Sequence, residues 1–243
     1  MLKKRFGLIG KDIKYSFSPS FFTTFFEKNE INASYELVEL PSIDEVKNVL
    51  NSDFSGFNVT IPYKEAIIPF LDELDTTAKA IGAVNVVAMK DGKSIGYNTD
   101  AFGFHQSIKP FLTFQHERAL ILGTGGASKA AEFIFKQIGL DVLHVSRNPE
   151  GRTKYFSYED INEHMLRACK VVVNCTPIGT FPKVDDCPSF PFEFLTKEHL
   201  VIDLIYNPAK TKFLQQAESQ GATVLNGESM LREQALKSWE IFG

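Results

Sequence analysis

Short apolar runs alternate with helical patterns along the whole of this 243-residue chain. This alternation is typical of an α/β protein with largely parallel sheets, because each helix leads the chain back to the start of the next strand. In the first part, the pattern predicts strands at 6–10, 34–39 and 56–60, and helices at 19–29 and 43–50. A hairpin is expected at 83–97, where two apolar runs flank a turn that contains Asp91 and Gly92.

The second part repeats strand and helix in a regular order. Its apolar runs predict strands at 118–123, 142–146, 171–175, 201–204 and 223–225, with a helix at 128–138 after the first of them. A helix at 100–112 links the two parts, and a further helical pattern at 227–243 closes the chain. This succession of parallel strands and crossover helices is Rossmann-like.

Charge and cysteine content exclude several classes of protein. Lys and Arg number 26 against 30 Asp and Glu, and the net charge of −4 counts against a basic nucleic-acid binder. No apolar run approaches the roughly 18 residues of a membrane span, and the run at 6–9 is too short for a signal-peptide core. Cys169, Cys175 and Cys187 have neither disulfide-framework nor zinc-ligand spacing, and the five histidines show no metal-binding pairing. We therefore expect a cytoplasmic protein without a bound metal.

A glycine turn directly follows the first strand of the second part. It consists of Gly123, Thr124, Gly125, Gly126, Ala127 and Ser128. The backbone N–H groups of such a turn, and the positive end of the helix that follows, favour the pyrophosphate of a dinucleotide. The alternative is a glycine-rich turn that holds no ligand, since glycine fingerprints have false positives.

The end of the next strand indicates which dinucleotide would bind. An NAD site usually places Asp or Glu there for the ribose hydroxyls, whereas an arginine accommodates the 2′-phosphate of NADP. This strand ends in Ser146 and Arg147 with no carboxylate, so NADP is favoured; the alternative for Arg147 is a solvated loop cation. Thr176 follows another strand and is a further candidate for a cofactor contact, because it would lie at the carboxyl edge of the sheet.

Polar residues of the first part are suited to a small acidic substrate. We predict Ser18 as the N-cap and Pro19 as the first residue of a helix, where the hydroxyls of Ser16 and Ser18 could hold a carboxylate. Lys64 follows a proline at the end of a strand. If it opens a helix, the helix dipole disfavours its charged form, which suits proton exchange near neutral pH. Asp100 has two interpretations, as a cap of the linking helix or as a functional carboxylate.

Six motifs, taken in order, resemble those of the shikimate dehydrogenase family. They are Ser16-x-Ser18-Pro19, Asn58-Val-Thr-Ile-Pro-Tyr-Lys64-Glu65, Gly82-Ala-Val-Asn85, Asn98-Thr-Asp100, Gly123-x-Gly-Gly-Ala-Ser128 and Gly227-x-x-Met-Leu-x-x-Gln234-Ala. The resemblance implies an N-terminal α/β substrate domain at 1–102, a Rossmann-like NADP-binding domain at 103–225, and a C-terminal helix at 226–243 that returns to the substrate domain. The implied activity is the reversible NADPH-dependent reduction of 3-dehydroshikimate to shikimate, in the biosynthesis of chorismate and the aromatic amino acids.

The resemblance also implies roles for individual residues. Lys64 and Asp100 would form the catalytic pair. The substrate carboxylate would bind Ser16, Ser18, Thr60 and Tyr206, and the ring hydroxyls would bind Asn85, Asp100 and Gln234. The cofactor-binding residues would be Gly123, Thr124, Gly125, Gly126, Ala127, Ser146, Arg147, Thr176, Leu204 and Gly227. The implied partners are NADP and a small hydroxylated acid, with neither nucleic acid nor membrane, and the chain would be a monomer or a homodimer.

Two other functions are compatible with these motifs. One is the same scaffold acting on quinate as well as shikimate, or preferring NAD. The other is a regulator that binds NADP without catalysis, for which Lys64 and Asp100 would have no purpose.

Overall fold

The computed structural model describes residues 3–149 and 151–243, and the chain divides into two compact units. The first unit comprises residues 3–99 and 234–243, and the second comprises residues 100–233. The domain limits expected from the sequence lie after residues 102 and 225. Met1 and Leu2, where the basic segment before the run at 6–9 starts, lie outside the described residues, as does Glu150.

The first unit is a mixed sheet with helices against it. Its strands are β1 (Lys4–Gly10), β2 (Ala33–Glu39), β3 (Gly56–Val59), β4 (Glu73–Leu74), β5 (Val86–Lys90) and β6 (Lys93–Tyr97). They lie in the order β2-β1-β3-β5-β6-β4, with β5 antiparallel to both neighbours. Its helices are α1 (Phe17–Lys28), α2 (Val46–Leu50), α3 (Tyr63–Ala66) and α4 (Thr76–Ile81). The predicted hairpin is confirmed: Asp91 and Gly92 join β5 to β6 with φ angles of 51° and 77°, as a tight hairpin turn requires.

The first helix begins earlier than the sequence predicts. α1 starts at Phe17 with Ser16 as its N-cap residue, and the Ser16 side chain makes no capping hydrogen bond. The assignment of Ser18 as N-cap and of Pro19 as the first helical residue is therefore wrong. The error arises because proline fits anywhere in the first helical turn, where the backbone N–H groups have no intrahelical acceptor.

The second unit is a parallel sheet. Its strands are β7 (Arg118–Leu122), β8 (Asp141–Val145), β9 (Tyr155–Phe156), β10 (Val171–Asn174), β11 (Leu200–Asp203) and β12 (Thr223–Leu225). They lie in the order β12-β11-β10-β7-β8-β9, and the helices are α5 (Asp100–Ile108), α6 (Gly126–Gln137), α7 (Glu163–Ala168) and α8 (Lys212–Ser219). The predicted Rossmann-like arrangement is confirmed, although α6 begins two residues before the predicted start at Ser128.

The last helix, α9 (Glu228–Phe242), packs into the first unit through its C-terminal half. The ring of Phe6 lies 4.8 Å from that of Phe242 and 5.6 Å from that of Trp239, and Trp239 also lies 5.2 Å from Phe26. Aromatic side chains of this size bury enough apolar surface to hold a helix end in place. The prediction that the C-terminal helix returns to the first unit is therefore confirmed. None of the described helices has the length and apolar character needed to cross a membrane.

Candidate active site

Three segments of the first unit meet at one edge of its sheet. β1 and β3 are neighbouring parallel strands, so the loop that carries Ser16 and the loop that carries Thr60 leave from the same edge. A backbone hydrogen bond of 3.3 Å from the Lys11 N–H to the Ile61 carbonyl joins the two loops. β5 runs antiparallel to β3, and Asn85, directly before β5, therefore lies at this edge as well.

Gly10, the last residue of β1, allows these loops to approach closely. A Cβ atom at this position would lie 2.6 Å from Thr60 Cγ2 and 2.5 Å from Ile13 Cγ2. Both distances are far shorter than a normal carbon–carbon contact of about 3.5–4.0 Å. The space around Gly10 is therefore taken by the segment that carries Thr60 and by the one that leads to Ser16.

Lys64 lies beside the segment that carries Asn85. It is the second residue of α3, its side chain is half-buried, and its backbone carbonyl accepts a hydrogen bond of 2.7 Å from the Val84 N–H. α3 has four residues, so the helix dipole at Lys64 is smaller than that of a full-length helix.

The structure also brings Asn85 and Gln234 together, although 149 residues separate them in sequence. The Asn85 amide Nδ2 donates to Gln234 Oε1 at 3.4 Å and to Thr99 Oγ1 at 3.0 Å. Asn85 Oδ1 accepts from the Thr99 N–H at 2.7 Å. Ser18, Asn85 and Gln234 are all buried, whereas Ser16 and Thr60 are half-buried.

The remaining predicted catalytic and substrate-binding residues belong to the second unit. Asp100 is the first residue of α5 and is buried, and it directly follows Thr99 in the chain. Tyr206 is half-buried and lies in the segment after β11.

The predicted cofactor-binding residues follow strands at the carboxyl edge of the second sheet. They are Gly123, Thr124, Gly125, Gly126 and Ala127 after β7, Ser146 and Arg147 after β8, Thr176 after β10, Leu204 after β11 and Gly227 after β12. β7 lies between β8 and β10, and the chain order reverses there. In open α/β sheets, ligands bind at the carboxyl edge at such a reversal.

At two positions on this edge, the backbone conformation or the packing of the protein requires a glycine, whether or not a ligand is bound. Gly123 has a φ of 103°, and a Cβ atom on it would lie 3.1 Å from Thr176 Cγ2, so the segments after β7 and β10 are in contact. A Cβ atom on Gly227 would lie only 2.1 Å from the Leu204 carbonyl oxygen. The Gly227 N–H also donates to the Ile205 carbonyl at 3.0 Å, which ties the segment after β12 to the one after β11.

Gly125 differs, because nothing in the protein requires a glycine at this position. Its φ and ψ of −82° and −175° are open to any residue, and no heavy atom lies within 4 Å of the place of a Cβ atom. A glycine here leaves the backbone at the start of α6 open to a phosphate group. Ser128, which replaces the usual third glycine, is buried and donates to the Gly125 carbonyl at 2.6 Å. These residues fit a dinucleotide.

The segment after β8 presents Arg147 to solvent. The Ser146 hydroxyl accepts a hydrogen bond of 3.2 Å from the Asn148 N–H, which closes a small turn around this arginine. Lys154, a second cation of this segment, is paired with Asp141. Asp141 is the first residue of β8.

A buried pair beneath the cofactor edge was missed by the sequence analysis. Asn174 and Asp203 end β10 and β11, and Asn174 Nδ2 donates to Asp203 Oδ1 at 3.1 Å. Asn174 Oδ1 accepts from the Thr176 N–H at 3.0 Å and from its hydroxyl at 2.7 Å, which fixes Thr176. Asp203 accepts from the Thr211 hydroxyl and the Ile205 N–H, yet burial raises its pKa to about 6. The sequence feature that could have identified this pair is the polar residue at the end of each of two apolar strands.

The cysteine and histidine that lie near this sheet edge take part in packing. Burial raises the pKa of the Cys175 thiol, which disfavours the reactive thiolate. His144 stacks on Tyr155 with 4.5 Å between ring centroids, and burial lowers its pKa even though its Nε2 lies 3.3 Å from Glu132 Oε2. Among the described residues, no group of three or more His, Cys, Asp or Glu side chains is placed to hold a metal ion.

Together, the parallel sheet with its open glycine turn and the mixed sheet with its polar edge define a dinucleotide-binding α/β protein of two units. The family model described as the shikimate dehydrogenase substrate binding domain matches residues 8–87. A curated shikimate dehydrogenase (NADP(+)) of Methanosphaera stadtmanae is 36% identical over 97% of this chain and 90% of its own length.

Solved structures agree with this comparison. The shikimate dehydrogenase of Aquifex aeolicus has a TM-score of 0.88 and 34% identity, covering 100% of this chain and 94% of that one. The shikimate 5-dehydrogenase of Thermus thermophilus, in complex with NADP(H) and shikimate, has a TM-score of 0.86 and 30% identity, covering 98% and 93%. The chain belongs to the shikimate dehydrogenase family, and the resemblance found in the sequence is confirmed.

Proposed function

We propose that this chain catalyses the reversible, NADPH-dependent reduction of 3-dehydroshikimate to shikimate, a step in the biosynthesis of chorismate and the aromatic amino acids. The observation that carries the proposal is the meeting of Ser16, Thr60, Lys64 and Asn85 at one edge of the first sheet. Hydroxyl, amide and ammonium groups suit a hydroxylated carboxylic acid, and the chain matches a shikimate dehydrogenase over 97% of its length. A regulator without catalysis would have no use for Lys64 at this edge.

The reduction requires a hydride and a proton. When bound, NADPH supplies the hydride equivalent for the ketone carbon of the substrate. Lys64 donates the proton from Nζ to the ketone oxygen as that oxygen becomes an alkoxide, and its neutral amine accepts the proton in the reverse direction. Asp100 is the second catalytic residue, with a carboxylate that binds a ring hydroxyl. A positioned acid of this kind typically contributes ~10²–10⁴-fold to the rate.

The other residues of the first unit bind and orient the acid. Ser16, Ser18 and Thr60 donate hydroxyl hydrogen bonds to the substrate carboxylate, and Ser16 and Ser18 lie at the positive end of the twelve-residue helix α1. Asn85 and Gln234, already held together by a hydrogen bond, bind ring hydroxyls. Tyr206 of the second unit is a further ligand of the carboxylate.

The cofactor is assigned as NADP rather than NAD. The pyrophosphate binds the backbone of the turn from Gly123 to Ala127, where Gly125 leaves room for it. Arg147 binds the 2′-phosphate by charge, with Ser146 shaping the turn. Thr176, Leu204 and Gly227 line the same edge of the sheet.

We assign the protein to the cytoplasm and to the monomeric or homodimeric state. Three cysteines without disulfides, Cys169, Cys175 and Cys187, are usual in a reducing compartment. Sedimentation of the purified chain measures the assembly.

The test of the proposed function is the absorbance of NADPH at the nicotinamide band. Purified protein is expected to form NADPH from shikimate and NADP, more efficiently than NADH from NAD and more efficiently than with quinate. Lys64→Ala is expected to lower kcat by ~10²–10⁴-fold with a much smaller change in the KM for shikimate. Lys79→Ala, an exposed lysine of α4, is the matched control and retains kcat. Wild-type protein without shikimate-dependent NADPH formation would contradict the activity, and an unchanged kcat in Lys64→Ala would remove Lys64 from the reaction.

A further inference from the structure

Six buried polar side chains of the first unit form one connected set of hydrogen bonds, called here the buried polar network. Its members are Tyr35, Asn58, Asn85, Thr99, Gln234 and Ser238. They come from β2, β3, the segments before β5 and α5, and α9. Buried polar groups persist only when they are hydrogen bonded, so each member constrains the orientation of its neighbours.

Ser238, which is fully buried, is where the network branches. Its hydroxyl donates to the Gln234 carbonyl at 2.7 Å, so it has no second proton to give. The Ser238 oxygen accepts a hydrogen bond of 3.0 Å from Asn58 Nδ2. It also lies 3.1 Å from Thr99 Oγ1, and because the Ser238 proton is already used, the threonine hydroxyl is the donor of that bond. One serine hydroxyl thus makes three hydrogen bonds, and its removal would leave three partner groups with one bond fewer.

From Ser238, one branch leads to Asn85. Thr99 Oγ1, with its proton given to Ser238, accepts from Asn85 Nδ2 at 3.0 Å. The other proton of Asn85 Nδ2 reaches Gln234 Oε1 at 3.4 Å. The Asn85 amide is therefore oriented by Thr99, whose N–H donates to Asn85 Oδ1 at 2.7 Å and whose hydroxyl, oriented by Ser238, accepts from Nδ2.

The other branch leads to Tyr35. Asn58 Nδ2 faces Ser238, so its Oδ1 is turned towards Tyr35, whose hydroxyl donates to it at 2.8 Å. Tyr35 therefore fixes which end of the Asn58 amide faces Ser238.

We propose that Ser238 and Tyr35 are positioning residues that orient the substrate-binding side chains through the buried polar network. The inference rests on the proposed function, because it assigns Asn85 and Gln234 to shikimate. A site whose ligands are held before binding loses less conformational entropy on binding, so the network contributes to affinity for the acid. The cofactor-binding residues of the second unit are not members of the network.

The test compares Ser238→Ala and Tyr35→Phe with wild-type protein in the NADPH assay. Each variant is expected to raise the KM for shikimate about 3- to 10-fold, the effect of one or two lost hydrogen bonds, with the KM for NADP unchanged. Tyr35→Phe keeps the ring, which stacks on Phe22 with 4.5 Å between centroids, and so gives a folded variant should Ser238→Ala be unstable. Because both act through Asn58, the double variant is expected to show less than the product of the single effects.

Ser94→Ala is the matched structural control. Ser94 is equally buried in the first unit and donates to Asp72 Oδ2 at 2.7 Å, outside the network. It is expected to lower the melting temperature while leaving the KM for shikimate unchanged. The inference is overturned if the wild-type protein is active and Tyr35→Phe retains its KM for shikimate, or if Ser94→Ala raises that KM equally. Absence of wild-type activity would instead refute the proposed function, on which the inference depends.

Discussion

The substitution Gly125→Ala distinguishes the contribution of this glycine to protein stability from its contribution to cofactor binding. The backbone angles of Gly125 suit alanine, and the added methyl group would meet no heavy atom within 4 Å. Alanine loses less unfolded-state entropy than glycine, a gain of about 0.4–1 kcal/mol. Alanine is, however, a less favourable N-cap residue for α6 than glycine, and this lowers the stability by a comparable amount. The free energy of unfolding should therefore change by less than about 1 kcal/mol, or about 2–4 °C in melting temperature.

The cofactor should respond differently. The methyl group would occupy the space through which the pyrophosphate approaches the N–H groups at the start of α6. We expect the Kd for NADP to rise at least about tenfold, which corresponds to about 1.4 kcal/mol. Titration calorimetry with NADP, beside a thermal melt of the same sample, measures both quantities.

Gly123→Ala is the contrasting variant. Gly123 has a φ of 103° and its Cβ atom would lie 3.1 Å from Thr176 Cγ2, so alanine is strained whether or not NADP is present. It should cost about 1–3 kcal/mol in stability as well as cofactor affinity. Should Gly125→Ala bind NADP as tightly as wild type does, or melt as early as Gly123→Ala, the argument for a phosphate at this turn would be refuted.

Three further predictions concern single side chains. Arg147→Gln should weaken binding of NADP at least about tenfold and leave NAD unaffected, because only NADP carries the 2′-phosphate; equal losses in calorimetry would contradict the assignment. Ser16→Ala should raise the KM for shikimate about tenfold or more with less change in kcat, since a hydrogen bond to a charged group is lost; an unaltered KM would count against Ser16 as a ligand. The pKa of Asp203 is raised from 3.8 to about 6, so the folded protein keeps a proton that the unfolded chain releases, and the contribution of Asp203 to wild-type stability falls by about 2 kcal/mol as the pH rises from 4 to 7. Asp203→Asn cannot titrate, and urea unfolding should show the variant gaining about that much relative to wild type over the same interval; a pH-independent difference would exclude the raised pKa.

The sequence predicts elements well where the pattern is long enough to have a period. The five strands expected in the second part are all present, as is the hairpin of the first part. β4 and β9 were not predicted, because two residues cannot show an alternation. The predicted starts of α1 and α6 are both two residues too late. The predictions took a serine as the start of each helix, but serine is favoured at the N-cap position without being confined to it.

The candidate site could be predicted where each residue directly follows a strand. Strands that run in parallel end at the same edge, so the positions of Gly123, Ser146 and Thr176 in the sequence already place them together. The roles of the individual residues stay predictions until the variants are measured. Sequence reasoning did not find Tyr35 or Ser238, because nothing adjacent to them in the chain marks what they bind. It also did not use the polar residues that end β10 and β11, which were the signal for Asp203.

The sequence by itself determined the α/β class, the glycine turn and the arginine that replaces a carboxylate after β8, because each depends on neighbouring residues alone. Only the tertiary structure decided which buried polar groups meet. Asn58 and Ser238, hydrogen bonded at 3.0 Å, lie 180 residues apart. Periodicity reports which face of a strand or helix is buried, whereas the partner of a buried donor depends on how distant segments pack.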